Sequence, residues 1–331
     1  MFSRRLPPFD QTNAISRVLD ALRAAGTPFI NLTESNPTRV GLAYPDDLLA
    51  PLADPQSLRY DPDPRGRAET RHAIAADMRR RGAVVDPDHI VLCASTSEAY
   101  SWLFKLLCDP GTAVAVPRPS YPLFEHLTRL DGVETVPYHL EFHGRWELDI
   151  ASLAAAPAET RAVLVVSPNN PTGSFVTARE IERVVALCRE REWALIVDEV
   201  FADYPLEAPD VVTDIAATAG VLTFTLGGAS KQLALPQVKL GWIVVGGPAA
   251  ARDQALRRLE LIADTYLSVS TPVQVAGTQL LERGSQIRSA VQQRLRGNLE
   301  LARETARAFP ACTVLPVEGG WSMVVRVPAT G

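Results

Sequence analysis

Six short runs of Val, Ile and Leu with few polar residues punctuate the first 250 positions. They are IVLCAS (90–95), AVAVP (113–117), AVLVVSP (162–168), ALIVDEV (194–200), VLTFTL (221–226) and KLGWIVV (239–245). A strand with one wet face alternates apolar and polar residues; these runs do not, so both faces must be covered. Helical patterns over 97–108, 120–130 and 177–191 separate them, the last opened by Thr177 with Glu180 three residues on, a capping-box signature. Alternating strands and helices predict an α/β fold with a mostly parallel sheet sandwiched by helices. Beyond residue 250 come two long helical patterns, 251–267 and 287–309, then CTVLP and GGWSMVVRVP, which read as strands of a smaller α+β domain. The expected organisation is an N-terminal segment, 1–45, joining that small domain; a large domain, 46–250; and 251–331 as helical link and incomplete small domain.

In such sheets, ligands bind at the carboxyl ends of the strands. Here those ends run into ASTSE, PRPSYP, SPNNPTG, DEVFADY and LGGASK, which are polar and rich in Gly and Pro. Neither a GxxxxGK[ST] nor a GxGxxG phosphate loop is present, and there is no GxSxG for a hydrolase. The net charge of −5 argues against a nucleic-acid partner. Arg79, Arg80 and Arg81 read as a solvated helix end before Gly82. Cys93, Cys108, Cys188 and Cys312 form no CxxC pair and read as small hydrophobes in a reducing compartment. The first residues lack the apolar core of a signal peptide, and no run approaches the roughly 18 apolar residues of a membrane span, so a cytoplasmic enzyme is the expectation.

The stretch TLGGASKQLALPQVKLGW (225–242) sets Lys231 and Lys239 among small and apolar residues, where an ammonium is costly to bury. Taken singly, each polar residue at a strand end has an ordinary alternative. Lys231 could be a surface lysine in an ion pair, and Asp198 a cap. NNPTG could be only a turn, Ser95 or Thr96 only a helix cap, and Tyr121 a packing aromatic.

Taken in order, YDPDPRG (60–66), ASTSEAY (94–100), PSYPLF (119–124), SPNNPTG (167–173), DEVFADY (198–204) and GGASKQLALPQVKLGW (227–242) resemble the class I/II aminotransferases, the fold-type I enzymes that use pyridoxal 5′-phosphate (PLP). NLTESNPTRVG (31–41) is similar to their N-terminal substrate segment. The resemblance implies that Lys231 forms a Schiff base with PLP and that Asp198 pairs with the pyridine nitrogen. It assigns Asn170 to the phenolic oxygen and Tyr121 to stacking on the ring. Thr96, Ser97, Ser230 and Lys239 are then expected to hold the phosphate, with Tyr60 reaching the phosphate of a neighbouring subunit in a homodimer. The implied reaction moves an amino group from an amino acid to a 2-oxo acid. A C–S lyase, a decarboxylase or an inactive PLP-binding fragment of the same fold are the alternatives. Departures from the family pattern are Phe201 where many members have Tyr, Lys239 in place of Arg, and Ser35 and Ser95 in place of Gly. Members also continue to an arginine that grips the substrate carboxylate. No residue here matches it, Arg326 lying on an earlier strand, and this sequence is expected to stop short of that end.

Overall fold

The computed structural model describes residues 2–6, 14–207, 215 and 220–329. The chain divides into two compact units, residues 1–42 and 43–331. In the first, helix α1 (Ala14–Ala24) buries none of its residues, and turns follow in which Asn31 and Asn36 accept hydrogen bonds from Thr33 and Thr38.

The second unit is built on an eight-stranded sheet. Its strands are β1 (Ile90–Cys93), β2 (Ala113–Arg118), β3 (Glu134–Phe142), β4 (Trp146–Leu148), β5 (Thr160–Val166), β6 (Ala194–Asp198), β7 (Thr223–Gly228) and β8 (Gly241–Gly246), in the order β1-β8-β7-β6-β5-β2-β3-β4. Five neighbouring strands from β7 to β3 run parallel, as expected. β8 runs against both its neighbours, which brings its first residues to the same sheet end as the last residues of β7 and β1. Helices α2 (Ala68–Arg80), α3 (Thr96–Leu107), α4 (Phe124–Leu130), α5 (Ile150–Ala154), α6 (Ala178–Arg191), α7 (Ala229–Gln232), α8 (Ala249–Tyr266) and α9 (Thr271–Arg307) surround it, and a short pair, β9 (Thr313–Val314) and β10 (Val325–Arg326), lies near the chain end.

The two-sided burial read from the sequence is real. Val114, Val116, Leu164 and Ile196 enter one core with α3 and α8, while the intervening Ala115, Val163, Val165, Leu195 and Val197 enter another with α6. The β3–β4 hairpin escaped the sequence reading. It lies at the sheet edge with only part of β3 buried, and its polar alternation gives none of the continuous apolar signal that marks a central strand. The capping box at α6 is formed: Thr177 Oγ accepts from Glu180 N at 3.3 Å, and Glu180 Oε2 accepts from Thr177 N at 2.9 Å. α6 ends with Glu192 at φ +56°, a left-handed position that glycine occupies without steric cost. Glu192→Gly is expected to stabilise the protein by roughly 0.5–1 kcal/mol, read as an upward shift of the urea midpoint.

The second long helix starts earlier than its pattern suggested, at Thr271 instead of 287, and spans 37 residues. Gly277 and Gly284 interrupt the apolar periodicity, but both are contact points. A Cβ on Gly277 would lie 2.6 Å from Thr70 Cγ2, and one on Gly284 would overlap Leu233. Glycine here lets α9 close onto α2 and onto the segment that follows Lys231.

Candidate active site

Strand register assembles the site. Gly228 of β7 and Cys93 of β1 both pair with Gly241 of β8, so three chain segments leave the sheet side by side. A side chain at either glycine would crowd its neighbours: a Cβ on Gly241 would sit 3.1 Å from the Ser95 backbone, and one on Gly228 would sit 3.2 Å from Leu240 O. Glycine thus permits the close approach that sets the Ser95–Ser97 turn against the Ala229–Lys231 segment. Ser95 caps α3 by accepting from Glu98 N at 3.2 Å. The amides of Thr96 and Ser97, at the positive end of the helix, and the Ser230 hydroxyl donate to no acceptor among the described residues. Lys239, two residues before β8, holds φ at +59° and leaves its side chain exposed beside this corner.

One strand over, β6 ends at Asp198, which is 7% exposed. Its Oδ1 accepts from Val200 N at 3.0 Å, and its Oδ2 accepts from the hydroxyl of Tyr100. Burial pushes the carboxyl upward; the Tyr100 bond, the Val200 amide and the Lys231 charge oppose that shift. Lys231 responds in the opposite sense: burial pushes its amine down from the ordinary lysine range, and Asp198 pulls it partly back. Lys231 Nζ has no hydrogen-bond acceptor among the described residues. It faces the rings of Trp321, 5.3 Å to the centroid, and Phe201, 5.8 Å. Phe201 stands where the resembled family often carries a tyrosine. Tyr204, whose hydroxyl the sequence could not place, donates to Lys231 O and Gln232 O, each at 3.0 Å, and fixes the backbone that carries the amine.

Trp321 enters from the far end of the chain, a residue that sequence reasoning took as part of a small-domain strand. The segment before it is fastened to the NNPTG turn: Glu318 N and Gly319 N donate to Gly173 O at 2.9 and 2.8 Å, and Gly320 N donates to Tyr204 O at 2.9 Å. Gly173, at φ +67°, would overlap Val317 if it carried a side chain. In the same turn Asn169 is held by Ser120 and Thr172, while Asn170 Oδ1 accepts from Ser322 Oγ at 3.3 Å. Tyr121 is 36% exposed and meets Phe124 edge-on, and Phe124 in turn meets Tyr100 edge-on. Tyr60 stands apart. It is 74% exposed and lines a shallow cleft with Trp102, Ser268 and Gln274, none of them among the other candidates.

Of the three arginines after Met78, Arg79 and Arg80 are exposed as the solvated-end reading expects, but Arg81 is not. Arg81 is only 10% exposed at its side chain, with Nη1 3.2 Å from Glu199 Oε2 and Nε 3.6 Å from Asp203 Oδ1. Arg80 pairs with Asp203 and Asp77, and Arg288 of α9 pairs with Asp77 at 2.8 Å. Three cations meet three anions behind the Asp198–Tyr204 loop. Only the fold brings Glu199 and Asp203 to the end of α2, so position next to Gly82 misled.

A buried carboxylate at one strand end, a shielded amine at the next and an anion-ready helix start, on this sheet order, define a protein of the fold-type I pyridoxal-phosphate class. The family model for aminotransferase class I and II matches residues 27–326, and the chain belongs to that family, whose cofactor is PLP. It is 28% identical over 259 residues to a glutamate-pyruvate aminotransferase of Haemophilus influenzae, covering 77% of this chain and 64% of that one. It is 27% identical to an alanine aminotransferase of Mycobacterium tuberculosis, covering 77% and 60% respectively. The chain therefore spans less than two thirds of the length of these relatives. Among solved structures it superposes on an alanine aminotransferase from Pyrococcus furiosus with a TM-score of 0.87 at 22% identity, over 100% of this chain and 85% of that one. An Escherichia coli aminotransferase gives 0.84 at 25% identity, over 99% and 83%.

The residues present suit PLP by the chemistry of their donors. There is a carboxylate for a pyridine nitrogen, an amine with lowered proton affinity for an aldehyde, and unpaired amides and a hydroxyl for a phosphate.

Proposed function

We propose that the protein is a PLP-dependent aminotransferase that moves an amino group between an amino acid and a 2-oxo acid. The observation that carries it is Lys231: a mostly buried amine, depressed in proton affinity, without an acceptor among the described residues and next to the buried Asp198. When bound, PLP supplies an electron sink that stabilises negative charge at the substrate's α-carbon. Lys231 would hold the cofactor covalently through Nζ, a role that needs the neutral amine. The same amine would be placed to take and return a proton at the substrate's α-carbon. Asp198 pairs with the ring nitrogen, and Asn170 donates to the phenolic oxygen. The amides of Thr96 and Ser97, with Ser230 and Lys239, hold the phosphate. Tyr121 covers one ring face, and Phe201 and Trp321 keep water from the amine.

Tyr60 and the exposed Leu58 beside it support a homodimer in which Tyr60 serves the neighbouring site. Four free cysteines support a reducing, cytoplasmic setting, and among the described residues no helix is long and apolar enough to cross a membrane. Glutamate with pyruvate, and in reverse alanine with the 2-oxo acid that glutamate leaves, is the first pair to test, since two relatives are named for glutamate, pyruvate and alanine.

The protein with added PLP is expected to develop a visible absorption band that borohydride traps on Lys231, and then to form a new amino acid from donor and acceptor. Pyruvate and ammonia released from the donor without any acceptor would instead identify a lyase. No band would reject the cofactor.

A further inference from the structure

Tyr100 touches none of the groups proposed to hold PLP except one: it is the only side chain among the described residues that hydrogen-bonds Asp198. It is 1% exposed and lies one turn after Thr96 on α3, the same face of the helix whose first amides point to the phosphate corner. A tyrosine ring in a core needs no special role. Its hydroxyl does need a partner, and water is the ordinary one at a helix surface. Here Tyr100 instead spends its proton on a buried carboxylate. Asp198 has about four acceptor positions, and Val200 N and Tyr100 take two, one on each oxygen. The rest suffice for a pyridine N–H. The bond therefore orients the carboxylate without blocking it.

We propose that Tyr100 is a positioning residue for the PLP ring, acting through Asp198: its hydroxyl fixes the carboxylate and keeps it ionised, so that the proton between Asp198 and the ring nitrogen stays on the nitrogen. A hydrogen bond to the charged form favours that form. Without the donor, the buried carboxylate becomes the stronger base and draws the proton from the ring, which weakens the electron sink. The other titratable groups facing Asp198 are Lys231 from α7 and Tyr121 from the loop after β2. Neither donates to Asp198, so neither replaces Tyr100. The ring of Tyr100 is independently anchored by Phe104, stacked at 6.2 Å, and by Phe124, edge-on at 5.3 Å, so a phenylalanine at position 100 keeps the packing and loses only the hydroxyl.

This inference rests on PLP binding to the proposed site, and its test separates the two. The parent protein, Tyr100→Phe and Phe104→Leu are reconstituted with PLP labelled with nitrogen-15 in the ring. The ring-nitrogen resonance and the PLP dissociation constant are measured for each. In the parent the nitrogen is expected at the protonated value. In Tyr100→Phe it moves toward the unprotonated value, with PLP bound about tenfold more weakly, the scale of one hydrogen bond to a charged group. Phe104→Leu, which loosens packing alone, leaves the nitrogen where it is in the parent. Incorporating 3-fluorotyrosine at position 100 serves if Tyr100→Phe does not fold. It is a stronger donor that keeps the ring and the bond, and it is expected to hold the nitrogen at the protonated value over a wider pH range. A parent that binds no PLP takes down the cofactor assignment and this inference with it. A parent that binds, with Tyr100→Phe or the fluorinated form unchanged in both measurements, overturns this inference alone.

Discussion

Lys231→Met is expected to abolish the visible band of the PLP-bound protein and to lower amino transfer by about 10⁴-fold, since in the proposed function one substitution removes both the covalent attachment and the positioned base. The same substitution is expected to make the cofactor-free protein more stable near neutral pH. Burial holds the Lys231 amine below the ordinary lysine range in the folded chain. The unfolded chain then binds a proton that the folded chain resists, from about pH 10.4 downward. The penalty is zero above that pH, grows as pH falls, and is complete once pH is below the folded value. Methionine keeps the apolar stem and removes the penalty. Urea midpoints of parent and variant should therefore differ at pH 7 in favour of the variant and converge toward pH 10.5. Inactivation without this pH-dependent gain would mean that the amine is solvated and that its surroundings do not tune it.

Arg81→Met is expected to cost about 3 kcal/mol of stability, because it takes away one of the cations facing two buried carboxylates, Glu199 and Asp203, with side chains 5% and 0% exposed. Arg80 still faces Asp203, but Asp203 Oδ2 already lacks a hydrogen-bond partner among the described residues. Arg81→Lys keeps the charge but not the planar fork that reaches both carboxylates, and should recover only part of the loss. PLP affinity should fall alongside stability in Arg81→Met, since Glu199 follows Asp198 directly and Tyr204 of the same loop anchors Lys231. Chemical denaturation with and without PLP measures both. An Arg81→Met protein as stable as its parent would show that these pairs are solvated in practice.

Much of this molecule is legible without coordinates. The apolar runs demanded a sheet covered on both sides, the capping box began α6 where Thr177 stands, and the polar loops fell at strand ends where ligands bind. The short-range rules that generate these features act over a few residues and leave periodic marks. The order of motifs also pointed to the family, and it singled out Lys231 and Asp198 as the residues to test. What escaped depends on which distant segments meet. A reversed β8 is what brings Lys239 to the corner occupied by Ser95 and Ser230, and strand direction is not written in composition. Arg81 looks the same in sequence whether it faces water or two buried carboxylates. Trp321 lies 90 positions from Lys231, and Tyr100 lies 98 positions from Asp198. Sequence alone set the elements and the chemical groups available. Tertiary packing decided which of those groups are stripped of water, and desolvation is what sets this lysine and this aspartate apart as a candidate site.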